Sequence, residues 1–202
     1  MPKLKIYTFP DVILTQLAQP IARVEKPLHR LADDMLETMY DAPGIGLAAN
    51  QVGILQRILV IDTDYDLDEE QDPAGGNVIR NKDPKIVINP EIIHREGSIS
   101  LEEGCLSVPE YAAEVKRAEK IKLQYQDIDG LTKTLMAEGL MAVCIQHEMD
   151  HLDGKLFIDR LSPLKKEMAR KRLRVERAQR EADLRAGLFD SGAAHGSKKK
   201  GF

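Results

Sequence analysis

The sequence predicts a single α+β domain, and three observations carry that prediction. A chain of 202 residues with 43% apolar content can bury one substantial core but not two. Helical spacing near the N-terminus gives way to a series of short alternating segments. Around residue 140 the period returns to that of a helix, and a second, long and charged helix follows.

After Pro10, DVILTQLA is a short apolar piece with Asp11 as its cap. In EKPLHRLADDMLETMYDAPG, Leu28, Leu31, Met35, Leu36 and Met39 recur at helical spacing, and Pro43-Gly44 ends the helix. GIGLAANQVG (44–53) is uncharged and punctuated by glycine. QRILVID (56–62) predicts a strand. Residues 63–84 are acidic, carry Gly and Pro, and predict a solvated loop or irregular hairpin with no function attached to its charge. KIVINP predicts the next strand. AAEVKRAEKIKLQYQDIDGLTKTLMAEG predicts a run of strands, with Asp129-Gly130 as a hairpin turn. In GLMAVCIQHEMDHLDG, Leu140, Val143, Cys144, His147 and His151 fall on one helix face, and Gly154 is the stop. A charged helix is expected from Leu164 onwards. GLFDSGAAHGSKKKGF is small, polar and basic, and is expected to be disordered. The expected organisation is therefore a body over 1–164, a basic helix over 165–186 and a tail over 187–202.

Charge is unevenly spread. Residues 165–185 hold nine Lys/Arg against four Asp/Glu, and the tail adds a further net +2, so an overall −4 leaves the body at −11. No run approaches the roughly 18 apolar residues of a membrane span. The opening MPKLKIYTFP lacks the apolar block of a secretory signal and the Arg/Ser-rich character of a transit peptide, so a cytoplasmic protein is expected. In that compartment Cys105 and Cys144 are expected to be thiols.

The chemistry concentrates in HEMDH, residues 147–151. Imidazoles at i and i+4 leave a helix on one side and can bind one metal ion, and a glutamate at i+1 stands beside the site as a general base. The alternative is two surface or satisfied core histidines. Against it, the histidines continue an apolar stripe, and two buried imidazoles with a carboxylate are costly without a shared partner. Such a site needs a third protein ligand and an open position. A downstream histidine at HExxHxxGxxH spacing is excluded, because Phe157 occupies that place. Glu167 lies in the charged terminal segment. His29, His94 and Cys105 remain upstream. Cys105, in EEGCLSVP, is either a thiolate ligand or a small buried hydrophobe; Cys144 is read as packing.

Three segments, GIGLAANQ (44–51), EGCLS (103–107) and QHEMDHLDG (146–154), resemble the signature segments of the peptide deformylase family, in the family's order. The likeness runs from about Tyr7 to Lys165. It implies antiparallel sheets packed around a central HExxH-bearing helix, flanked by an N-terminal and a C-terminal helix. It also implies hydrolysis of the formyl group from the N-terminal formyl-methionine of new polypeptides. By resemblance, Cys105, His147 and His151 are the metal ligands and Glu148 is the general acid/base. Gln51 and the backbone N–H of Leu106 hold the oxyanion, and Gly46 lines the substrate path. Ile45, Leu140, Val143 and Cys144 are candidates for the methionine pocket, with Glu103 near its wall. Ligand softness alone suggests zinc; the resemblance implies Fe2+, with Zn2+, Ni2+ or Co2+ able to substitute. The basic terminal helix resembles a ribosome-docking segment, and neither DNA nor a membrane is expected as a partner. Ala112 stands in the region where many relatives carry an arginine that helps bind the peptide backbone, and Tyr111 is expected to alter the mouth of the site.

Overall fold

The structure, a computed structural model, describes residues 3–71 and 77–186. The expected tail, 187–202, and the tip of the acidic insert, 72–76, lie outside the described residues. Helix α1 spans Lys26–Asp41, entered from Glu25 with a proline in its first turn. Its inward face is Leu28, Ala32, Met35 and Met39, with Leu31 and Leu36 partly buried beside them.

Nine strands follow among the described residues. β1 (Gly46–Ala48), β2 (Ile58–Ile61), β5 (Lys85–Glu96), β8 (Lys120–Gln126) and β9 (Thr132–Glu138) form one antiparallel sheet in the order β1-β2-β5-β8-β9. All four residues of β2 are buried, so this apolar run is covered on both faces. β5 is longer than KIVINP predicted and runs on through EIIHRE. Its sequence conceals this because Asn89-Pro90 interrupts it: Asn89 has φ +50, and the register with β8 shifts just beyond it. The Asn89 side chain takes over the lost pairing, donating to Ile21 O and Gln126 Oε1 while accepting from the Ile21 N–H. The β8–β9 turn lies where Asp129-Gly130 placed it: Gly130 has φ +76 and Asp127 Oδ1 accepts from the N–H groups of Asp129 and Leu131.

The acidic insert contains a small hairpin, β3 (Asp66–Gln71) with β4 (Asn77–Arg80). It is anchored rather than merely solvated. Tyr65 is fully buried, donates to Gly44 O at 3.0 Å and meets Tyr40 edge-on at 5.2 Å. A second two-stranded unit pairs β6 (Ile99–Cys105) with β7 (Val108–Arg117).

Helix α2 (Gly139–Leu152) is central. Ala142 through Ile145, His147, Glu148 and Asp150 through Leu152 are all buried, and the helix packs on β1, β2, β8 and β9. Helix α3 (Pro163–Arg185) is capped by Ser162, whose Oγ accepts from the Lys165 N–H. It carries the i,i+4 pairs Arg172–Glu176 and Arg177–Glu181 of a solvated helix, yet it is not a detached arm. Ala169 and Leu173 are buried in a smaller core with Phe9, Leu14, Cys105 and Phe157, and Arg177 donates to Thr8 Oγ1.

Candidate active site

Two simple periodicities build the site. Residues two apart on a strand share a face, so Glu103 and Cys105 of β6 both turn inward. Residues four apart on a helix share a side, so His147 and His151 of α2 meet them. The pairs match one to one: Cys105 Sγ lies 3.2 Å from His151 Nε2, and Glu103 Oε2 lies 2.8 Å from His147 Nδ1. One ligand atom each from Cys105, His147 and His151 falls within 4.8 Å of the others, and all three residues are buried. His29, His94 and Glu167, the other third-ligand candidates, are exposed.

The electrostatics suit a bound cation. Burial, helped by the charge of Glu148, pushes the Cys105 thiol well up. Burial and the neighbouring His147 hold His151 well below its ordinary value, so it is a neutral imidazole, and its buried Nδ1 has no hydrogen-bond partner. His147 Nδ1 is held by the Glu103 carboxylate, so a metal would be reached through its Nε2. One soft sulfur and two imidazole nitrogens form a donor set for a divalent metal.

Glu148 is fully buried, and burial raises its carboxyl well above the usual range against a weaker opposite pull from Arg117. Among the described residues neither of its oxygens finds a partner at full hydrogen-bond geometry, and the nearby Ala48 N–H donates to Gln51 Oε1 at 2.7 Å. That contact fixes which end of the Gln51 amide faces the cysteine: Nε2 donates to Ser107 Oγ at 3.2 Å and approaches Cys105 Sγ at 3.7 Å. The N-terminal segment holds both sides of this arrangement, with the Tyr7 N–H on Gln51 O and the Phe9 N–H on Ser107 O. Leu106 sits half-buried in the two-residue link between β6 and β7. Gly46 passes so close that a Cβ there would stand 2.6 Å from Glu148 Oε1 and 2.8 Å from Cys144 Sγ. Ile45, Val143 and Cys144 are buried, and the Cys144 thiol donates to Ile45 O.

Two expectations need correction. Leu140 does not continue the inward stripe: it is 43% exposed. It lies in the first turn of α2, where side chains lean back past the start of the helix. Glu103 faces charged partners rather than an apolar wall. Its Oε1 is taken by Arg117 Nε, and its Oε2 by Arg117 Nη2 and His147 Nδ1, so the carboxylate lies beneath the histidine. Burial alone would raise its pKa; the hydrogen bonds from Arg117 and His147 outweigh that and hold it low.

A family model described as polypeptide deformylase matches residues 3–167. The chain belongs to the polypeptide deformylase family. A peptide deformylase from Alkalilimnicola ehrlichii is 49% identical over 187 residues, 93% of this chain and 97% of its own length. Peptide deformylase 2 from Xanthomonas campestris pv. campestris is 51% identical over 176 residues, 86% of this chain and 95% of its own. The crystal structure of a peptide deformylase from Ehrlichia chaffeensis in complex with actinonin superposes with a TM-score of 0.75 at 37% identity, over 87% of this chain and 98% of that one. This chain is thus a deformylase-family enzyme with the α+β fold of its relatives.

Several residues around the deformylase site escaped the sequence. Arg117 lies in EVKRAEK, an alternating charged strand with nothing to mark one cation as buried. Asp150 sits inside the HEMDH segment, and its position three residues after His147 was the available signal. Phe157 entered only as the residue excluding a third histidine; its ring lies 5.9 Å from that of His147 at 24°, stacked.

Proposed function

We propose that the chain is a metal-dependent hydrolase that removes the formyl group from the N-terminal formyl-methionine of newly made polypeptides, releasing formate. Cys105, His147 and His151 hold one divalent cation, Fe2+ in the cell, in a site that also accepts Zn2+, Ni2+ or Co2+. The observation that carries this reading is the convergence of one thiol and two imidazoles beside a buried carboxylate. When bound, the cation supplies Lewis acidity and lowers the pKa of water to about 7 in favourable sites.

The remaining steps belong to the side chains. Glu148, ionised when a cation sits beside it, accepts a proton from the attacking water and delivers it to the departing amine. Attack places negative charge on the formyl oxygen, and Gln51 Nε2 with the Leu106 N–H donates to it. Loss of one such donor costs about 3 kcal/mol in the barrier. The buried Gln51 Oε1–Ala48 contact supports this role, because it holds the donor end in place before substrate arrives. Ile45, Gly46, Val143 and Cys144 form the apolar side on which methionine rests. Discrimination among linear apolar side chains there is modest, roughly 1–3 kcal/mol per methylene.

The reading places the enzyme in the cytoplasm; among the described residues no helix is long and apolar enough to cross a membrane. It also assigns α3 as a docking surface for ribosomal RNA, supported by the exposed Lys165, Lys171 and Arg174. The residue-level organisation proposed is a catalytic body over 1–164 with α3 as its basic docking element.

The test couples elemental analysis to formate release from formyl-Met peptides. Cys105→Ala loses both bound metal and activity. Glu148→Ala keeps metal and fold but releases formate about 10³-fold more slowly. Metal retained at full stoichiometry in Cys105→Ala, or activity unchanged in Glu148→Ala, contradicts the assignment.

A further inference from the structure

Behind His147 a line of alternating charges runs to the surface. Glu103, under the imidazole, is clamped by Arg117 through two parallel bonds. Arg117 Nη1 donates to Asp150 Oδ2 at 2.9 Å. Asp150 is clamped in turn by Arg160, whose Nε donates to Oδ2 at 3.0 Å and whose Nη2 donates to Oδ1. The side chains of Glu103, Arg117 and Asp150 are 0%, 3% and 6% exposed; that of Arg160 is 48% exposed. Burial would raise the Asp150 carboxyl, but the hydrogen bonds and charges of Arg160 and Arg117 hold it low. Arg160 itself lines an open cleft of about 370 Å³ with Arg95, Ser98, Lys116 and Gln146.

We propose that Arg160 is a positioning residue for the metal centre, fixing the His147 imidazole through Asp150, Arg117 and Glu103. The proposal deepens the function proposed above and rests on it for the metal. The charge pattern is the reason. The three buried members carry two carboxylates and one guanidinium, a net negative charge in a dry place. Arg160 neutralises it from the solvent edge. Without it, Asp150 has Arg117 as its remaining cation in the line, and Arg117 cannot satisfy Asp150 fully while holding both oxygens of Glu103. A loosened Glu103 leaves the tautomer and tilt of His147 less fixed. The same 3₁₀ turn, Phe157–Arg160, acts on the ring twice: Phe157 stacks on its face and Arg160 secures the far end of the line. Lysine is a poor substitute because it offers a point charge where a planar fork makes two bonds.

The experiment uses the full chain. Co2+ affinity is measured by absorption titration, and the His147 ring nitrogens are followed by NMR in the metal-free protein. Arg160→Ala weakens Co2+ binding about tenfold and shifts the His147 ring resonances, Arg160→Lys recovers part of both, and kcat falls more than KM changes. In Glu103→Gln, where the line is already cut, adding Arg160→Ala weakens Co2+ no further. The proposal is overturned if Arg160→Ala lowers thermal stability but leaves Co2+ affinity and the ring resonances unchanged, or if the two substitutions multiply in the double variant. Should Arg160→Ala not fold, Arg160→Gln carries the same comparisons. Failure of the wild-type protein to bind Co2+ would remove the metal reading, while the metal-free resonances still decide the part played by Arg160.

Discussion

Gly46 is where the chain leaves least room. The sequence offered it as part of a glycine-punctuated stretch, which suggests close backbone approach but not what approaches. The structure supplies the neighbours: Glu148 Oε1 and Cys144 Sγ sit where a Cβ would be. Gly46→Ala therefore displaces the buried carboxylate. Its stability falls by about 1–3 kcal/mol, the usual cost of overpacking, and kcat for formate release drops by about 100-fold. Urea unfolding and a steady-state assay check both, and an unchanged kcat would mean that Glu148 tolerates displacement. Among single residues the sequence was legible where placement depends on local spacing. His147, Glu148 and His151 lie on one turn of one helix, so their mutual placement follows from the helix period. Glu103 was misplaced because its partners, Arg117 and His147, lie 14 and 44 residues away and nothing local pairs them. Leu140 was misplaced because spacing gives the side of a helix and says nothing of where the covering layer stops.

Helix α3 shows the same limit for elements. Its length and charge were plain in the sequence, which set it apart from the body as a basic helix. Two buried residues, Ala169 and Leu173, bring it onto the core that contains Cys105 and Phe157. Ala169 and Leu173 are buried while Leu164, Met168, Val175 and Leu184 of the same helix are exposed, so no inward stripe stands out. Asp159 ties the start of α3 to the preceding turn: it accepts from Arg170, pairs with Lys166, and takes the Leu156 N–H. Burial opposes its charge, but those partners hold its pKa below the ordinary 3.8. A depressed carboxylate contributes stability above its unfolded pKa and loses it as pH falls through the folded one. Asp159→Asn is thus expected to lose about 1 kcal/mol at pH 7, the solvent that still reaches this partly buried group keeping the figure small. The deficit stays level down to about pH 4 and narrows below it, as the wild type protonates. Urea titrations at pH 7, 5, 4 and 3.5 measure this, and a deficit unchanged at the lowest pH argues against the charge as its source. β5 makes a parallel case, since Asn89-Pro90 reads as a strand end until the Asn89 side chain is seen restoring the lost pairing.

Across the whole molecule the site occupies a seam. Cys105 belongs to the smaller apolar cluster, with Phe9, Phe157 and Leu173; α2 brings its histidines from the larger one, with Val143, Cys144 and Ile145. The N-terminal segment stitches the two through Gln51 and Ser107. Fold class and element order were readable because periodicity reports them. The seam was not, because which two cores meet is a property of long-range packing that local pattern does not encode. The claim on which the rest depends is that both cores contribute donors to one cation. X-ray absorption on the protein loaded with one equivalent of Co2+ tests it most directly. The account predicts one sulfur and two imidazole nitrogens in the inner shell, with the sulfur lost in Cys105→Ala. An inner shell without sulfur, or one completed by a fourth protein side chain, would contradict it.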